Sequence, residues 1–91
     1  MNEQLLRFVE RIPAATVIYS GDAVVSTNRA HEKLTGYKTE EMIGERFNGH
    51  LTNGNTSIEM NYTKGGKPYF VFISIIGVII DSQRYYAAIV R

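Results

Sequence analysis

The stretch Asn28-Arg-Ala-His-Glu-Lys-Leu-Thr-Gly-Tyr-Lys-Thr-Glu-Glu-Met-Ile-Gly44 decides the fold. It reads as two short helices joined by a tight break. The Asn28 side-chain oxygen is suited to cap the first helix by accepting from a backbone N–H that has no helical partner. Ala30 and Leu34 lie four apart and share a face, with His31 beside them, while Arg29, Glu32 and Lys33 suit water. Gly36 then stops the helix, because a left-handed residue costs least where there is no Cβ. Thr39 is expected to cap the second helix. Glu40 and Glu41 fall in its first turn, where negative charge suits the helix dipole. Met42 and Ile43 supply its apolar side, and Gly44 ends it.

Working outward, residues 2–12 have helical spacing. Leu5, Phe8, Val9 and Ile12 form one stripe, and Pro13 closes the helix because the residue before a proline disfavours helical geometry. Residues 15–20 and 23–27 read as two strands of a hairpin turned at Gly21-Asp22. Residues 45–56 are polar and glycine- and asparagine-rich, with only Phe47 and Leu51 to anchor them, so no helix of normal length fits. Three strands follow, at 57–63, 68–80 and 84–91. The Gly65-Gly66 pair between Lys64 and Lys67 suits a two-residue type I′ turn, and Asp81-Ser82-Gln83 makes the next turn.

That hairpin assigns faces. A two-residue turn pairs 62 with 69, 60 with 71 and 58 with 73, so Ile58, Met60, Tyr62, Tyr69, Val71, Ile73 and Ile75 lie together under the helices. The opposite face carries Glu59, Asn61 and Thr63, but also Phe70, Phe72, Ile76, Val78 and Ile80. It is too apolar to be left in water, so the N-terminal helix, a second subunit or both must cover it. A one-residue slip in the turn would swap the faces.

The ordered set Asn-x-Ala-x-x-x-Leu-Thr-Gly-Tyr (28–37) and Glu-Glu-Met-Ile-Gly (40–44), with the Lys-Gly-Gly-Lys hairpin (64–67) and the long apolar strand after it, resembles PAS sensory domains over nearly the whole chain. The resemblance implies an α+β fold in a single domain: residues 1–13 an N-terminal cap or dimerisation helix, and 14–91 a core of five antiparallel strands, the first two central, with short helices on one face. It also implies a sensory or regulatory input module that homodimerises through Leu5, Phe8, Val9, Ile12, Phe70, Phe72, Ile76 and Val78. Such a module would pass its signal to an output domain of the same, longer protein, such as a sensor histidine kinase. One departure stands out. PAS domains usually carry a longer helix before the strand beginning near Ser57, and about a dozen residues here are too few for one with its connections. That helix normally walls the ligand cavity, which puts a haem-sized or flavin-sized pocket in doubt.

The candidate ligand residues are therefore those of a small cavity: His31, Leu34, Met42, Ile43 and Met60. A lone histidine is a weak ligand signal, and the plain reading of His31 is a partly buried side chain hydrogen-bonded within the fold. His50 reads as an exposed loop residue, and His31 and Glu32 point too far apart on a helix to share a metal. No cofactor is required. With no cysteine in 91 residues, the covalent flavin chemistry of the light-sensing relatives is closed, and haem ligation does not carry over because its usual histidine sits on the missing helix. The lack of cysteine also fits a cytoplasmic protein.

Other functions find less support. Ten basic and nine acidic residues give a net charge of +1, no electrostatic case for nucleic acid or membrane. The longest apolar run, residues 69–80, is too short to span a bilayer as a helix. Phe70-Val-Phe72 is similar to the base-stacking strand of an RNA-binding sheet, but that fold needs a helix between its third and fourth strands and nothing helical follows residue 56. No nucleophile–base pattern or phosphate loop is present, so no enzymatic activity is expected. A ligand-free interaction module is the main alternative to a sensor.

Overall fold

The computed structural model describes residues 3–47 and 51–91. The elements run α1 (Glu3–Arg11), β1 (Ala15–Ser20), β2 (Ala23–Thr27), α2 (Arg29–Thr35), α3 (Thr39–Met42), β3 (Thr56–Tyr62), β4 (Pro68–Ile80) and β5 (Gln83–Val90). Among the described residues nothing helical lies after Met42. The five strands make one antiparallel sheet in the order β2-β1-β5-β4-β3. The last strand, not the second, therefore sits at the centre beside β1. This corrects the expectation that the first two strands are central: β2 forms one edge and β3 the other.

Each face of the sheet has its own core. On the inner face, Ala15, Val17, Tyr19, Val24, Val71, Ile73, Ile75, Ala88 and Val90 pack together, with Ala30, Met42, Phe47, Leu51 and Tyr69 laid against them. Leu51 and Phe47 thus anchor the chain between α3 and β3 in place of a helix. On the outer face, Leu5 and Val9 of α1 bury Ile18, Tyr85 and Ala87, with Phe8, Val25, Val78 and Ile80 around them. The covering of the outer face by α1 is partial. Ile58, Met60, Phe70, Phe72 and Ile76 stay exposed.

The β3–β4 register departs from the sequence expectation by one residue. Asn61 pairs with Tyr69, Met60 with Phe70, Glu59 with Val71 and Ile58 with Phe72. Ile58, Met60 and Tyr62 therefore share the face of Phe70 and Phe72, while Glu59 and Asn61 lie with the inner core. The cause is the turn. The Thr63 N–H donates to the Lys67 carbonyl at 2.9 Å, and the Lys67 N–H donates to Thr63 Oγ1 at 3.1 Å, closing a three-residue loop. Only Gly66 in it takes a positive φ, +88°, as in a type I turn followed by a glycine bulge. The two-residue turn with positive φ at both positions lies instead between β4 and β5, where Ile80 pairs with Gln83 and Asp81 and Ser82 have φ of 52° and 64°.

Candidate functional site

Asn28 organises the inner face. Its Oδ1 accepts from the His31 N–H at 3.0 Å, capping α2, and also from the Thr16 N–H at 3.0 Å, tying the helix to β1. Its Nδ2 donates to the carbonyls of Ile12 and Ala14, so the chain leaving α1 is held at the same point. Asn28 is buried and every polar atom of its side chain is used. Gly36 ends α2 at φ +82°, its N–H donating to the Glu32 carbonyl at 2.8 Å. Lys38, not Thr39, then holds the cap position of α3, and the Glu41 carboxylate accepts from its N–H at 2.9 Å. The Thr39 N–H is bonded at 2.8 Å by the Glu32 carboxylate reaching across from α2, and its hydroxyl meets that of Thr27. Those contacts use Thr39 to lock α3 to α2 and β2.

Held this way, α2 turns His31 and Thr35 inward, not Leu34, which is exposed. Between them, α3 and the sheet lies a cavity of about 270 Å³. His31, Thr35, Tyr37 and Met42 form its helical side, and Val17, Tyr19, Asn61, Tyr69, Ile73, Ala88 and Val90 the sheet side, with the outer-face residue Tyr62 bordering it at the end of β3. Of the residues expected from sequence, His31 and Met42 line it. Leu34 and Ile43 face water, and Met60 belongs to the opposite face through the register of β3. The tyrosines and Asn61 were missed. Parity along β3 points to Asn61 once the turn is counted as three residues.

No Asp, Glu, Lys or Arg lines it. Burial pushes the Tyr19 phenol up to about 12, with the Glu59 carboxylate adding to the rise. Burial also raises Tyr69, against the opposing hydrogen bond from Asn61. His31, only 5% exposed, has its pKa lowered by desolvation despite the neighbouring Glu32 carboxylate. Its Nδ1 is buried with no hydrogen-bond partner. An imidazolium would place an orphan N–H there, and a bare acceptor costs less, so the neutral ring carries its proton on Nε2.

Outside the cavity, a wider cleft of about 640 Å³ runs between Glu10, Arg29, Glu32, Lys33 and Lys38, where charges of both signs alternate. Among the described residues no group of three or more His, Asp or Glu side chains can hold a metal ion, and His50 lies outside those residues. No helix among them is long and apolar enough to cross a membrane. The residues expected at a dimer interface divide. Leu5 and Val9 are buried within one chain and Val78 packs beside them, Phe8 and Ile12 are half-buried, and Phe70, Phe72 and Ile76 remain open.

Comparison with known proteins follows the same lines. The fold matches the PAS domain of an HTR-like protein from Haloarcula marismortui, with a TM-score of 0.77 at 14% identity, over 97% of this chain and 93% of that one. It matches a PAS domain from a two-component sensor histidine kinase with a TM-score of 0.74 at 15% identity, over 100% and 98%. A LOV protein from Rhodobacter sphaeroides matches with a TM-score of 0.79 at 16% identity, over 98% of this chain, which spans 65% of that protein's chain. No protein of curated function matches. A family model for the PAS domain matches residues 13–59 and again 45–91, and with more than half the sequence so covered, the chain belongs to the PAS domain family.

Proposed function

We propose that this domain is the sensory or regulatory input module of a longer signalling protein, taking a small uncharged ligand on its inner face and homodimerising through its outer surface. The observation that carries the reading is the cavity. It is a half-open recess between α2, α3 and the sheet, lined by phenols, an amide and a neutral imidazole with no formal charge. An anion would enter it without a counter-charge and near the Glu59 carboxylate, which is costly, whereas a neutral molecule with one or two polar groups would find both apolar walls and hydrogen-bonding edges. At about 270 Å³ it falls below the roughly 300–1,000 Å³ of ordinary ligand sites, so the ligand is smaller than a flavin or haem.

The same small volume supports a second reading, a ligand-free interaction module. Both readings assign the chain no catalysis of its own. Likeness to the PAS domain of a sensor histidine kinase supports an output domain on the same polypeptide. For the second copy, the β3 side of the sheet, which α1 leaves bare, is the natural seat: Ile58 and Met60 of that strand are 72% and 49% exposed.

Native mass spectrometry of the purified domain, followed by the same sample denatured, tests all of this. A dimer carrying a releasable small mass is the expected result. A dimer with no added mass would favour the interaction module, and a clean monomer would remove homodimerisation from the proposal.

A further inference from the structure

The two edges of the sheet are finished differently. Along β2, the chain after α3 covers the strand: the Val24 N–H donates to the Glu45 carbonyl at 2.8 Å, the Gly44 N–H to the Val24 carbonyl at 2.9 Å, and the Phe47 N–H to the Asp22 carbonyl at 2.7 Å. Along β3, nothing among the described residues does the same. The direction of its backbone groups follows from its ends. The Thr63 N–H turns toward β4 to reach Lys67, and the Asn55 carbonyl turns the same way to accept from Ile75 at 2.8 Å. In an antiparallel ladder the direction alternates, so Ser57, Glu59 and Asn61 also point to β4. Thr56, Ile58, Met60 and Tyr62 point their N–H and C=O groups out of the sheet.

This edge lacks most of the usual defences and keeps only an inward-pointing charge. It has no proline, no lysine and no bulge, since the register with β4 is regular from Thr56 to Tyr62. Its one charge, Glu59, lies on the inner face. The geometry points to a second copy of this chain as the occupant: two β3 strands pair edge to edge, antiparallel about Met60, to make one continuous sheet. The inference rests on the homodimer reading above and gives it a geometry.

Register selects that centre. Only residues of like parity can oppose one another if the two outer faces are to lie on the same side. Pairing the full strands about Glu59 would set two carboxylates directly opposite each other, which is destabilising. Centring on Met60 sets Glu59 across from Asn61 instead, and places Ile58 against Tyr62 and Met60 against Met60. All of these outer-face pairs fall at positions whose backbone groups face the open edge. Centring on Ile58 would also avoid the charge clash, but it would oppose Met60 with Thr56 and leave Tyr62 without a partner. All three registers are compatible with a two-fold axis, and the Met60 one joins the largest side chains across the seam without opposing like charges.

Substitutions on the whole chain test this by sedimentation velocity. Met60→Pro removes an outward N–H that no strand of the same chain uses, so the fold tolerates it while the seam does not. The expected result is a monomer with an unchanged far-UV circular dichroism spectrum, whereas Phe72→Glu, one strand further in, stays dimeric. A Met60→Pro protein that remains dimeric overturns the edge pairing. If Phe72→Glu alone dissociates, the homodimer reading stands but its geometry is face to face. A parent protein that is monomeric at all concentrations removes both. Should Met60→Pro not fold, single cysteines decide, because the chain has none of its own. Oxidation is expected to link Met60→Cys into covalent dimers and to leave Ile58→Cys unlinked, and the reverse pattern overturns the register.

Discussion

At the scale of the residue, His31 ties the site to stability. Desolvation lowers its pKa below the ordinary 6.5, and the neutral ring leaves Nδ1 as an unpaired acceptor. Above that value neither the folded nor the unfolded chain holds the proton. As pH falls through 6.5, the unfolded chain takes up a proton that the folded chain refuses, so stability declines until the lowered folded pKa is reached. The slope is at most about 1.4 kcal/mol per pH unit. Urea midpoints of the parent are therefore expected to drop between about pH 7 and pH 5, and those of His31→Gln to stay level over the same range. Glu32 and Glu41 do not confuse the reading. Backbone N–H groups hold their carboxyls below 4.5, so their contribution is lost only in more acid solution. A parent midpoint that does not move would mean that His31 protonates freely in the fold.

Gly36 supplies a simpler test. At φ +82° any Cβ is strained, and the one built there would sit 3.4 Å from the Lys64 Cβ. Gly36→Ala is expected to cost about 1–2 kcal/mol, seen as a fall in Tm of roughly 4–8 °C for each kcal/mol. An unchanged melting temperature would show that the cap is not limiting. Asn28 and Gly36 were legible in the sequence because a cap and a stop are local events, decided within four residues. Thr39 was not. Its N–H is taken by Glu32, and nothing in the local pattern says that a carboxylate from the preceding helix will reach it.

At the scale of the element, strand positions were legible and one register was not. Residues 15–20, 23–27 and 68–80 form strands over the expected spans because their β-branched and aromatic runs are bounded by Gly, Asp and Pro. The error at β3 came from Gly65-Gly66, which can serve a two-residue or a three-residue loop. Thr63 settles it, since its Oγ1 accepts the Lys67 N–H only in the longer loop. That one residue moved Met60 out of the candidate cavity and Asn61 into it. The Asp81-Ser82 turn carries the opposite lesson, with two non-glycine residues at positive φ where glycine is preferred. Ser82→Gly is expected to stabilise the domain by about 0.5–1 kcal/mol, read as a higher urea midpoint with an unchanged slope. A lower midpoint would imply that the serine side chain contributes more than its backbone strain costs.

At the scale of the whole molecule, the question is what α1 covers. From sequence its apolar stripe could lie on its own sheet or on a second copy, because periodicity reports that a face is buried and not against what. In the structure, Leu5 and Val9 are each 1% exposed within a single chain, over Ile18, Tyr85 and Ala87. The two possibilities separate by mass action. A helix that closes its own core loses the same stability at any protein concentration, whereas one that holds a dimer together loses more as the protein is diluted. Leu5→Ala is expected to lower stability by about 2–5 kcal/mol, the range for emptying a buried leucine site. The shift in the urea midpoint should be equal in dilute and concentrated samples. A penalty that grows on dilution would return α1 to the subunit interface. A concentration-independent penalty leaves the second copy only the surface α1 does not reach, which is where Phe70, Phe72 and the open edge of β3 lie.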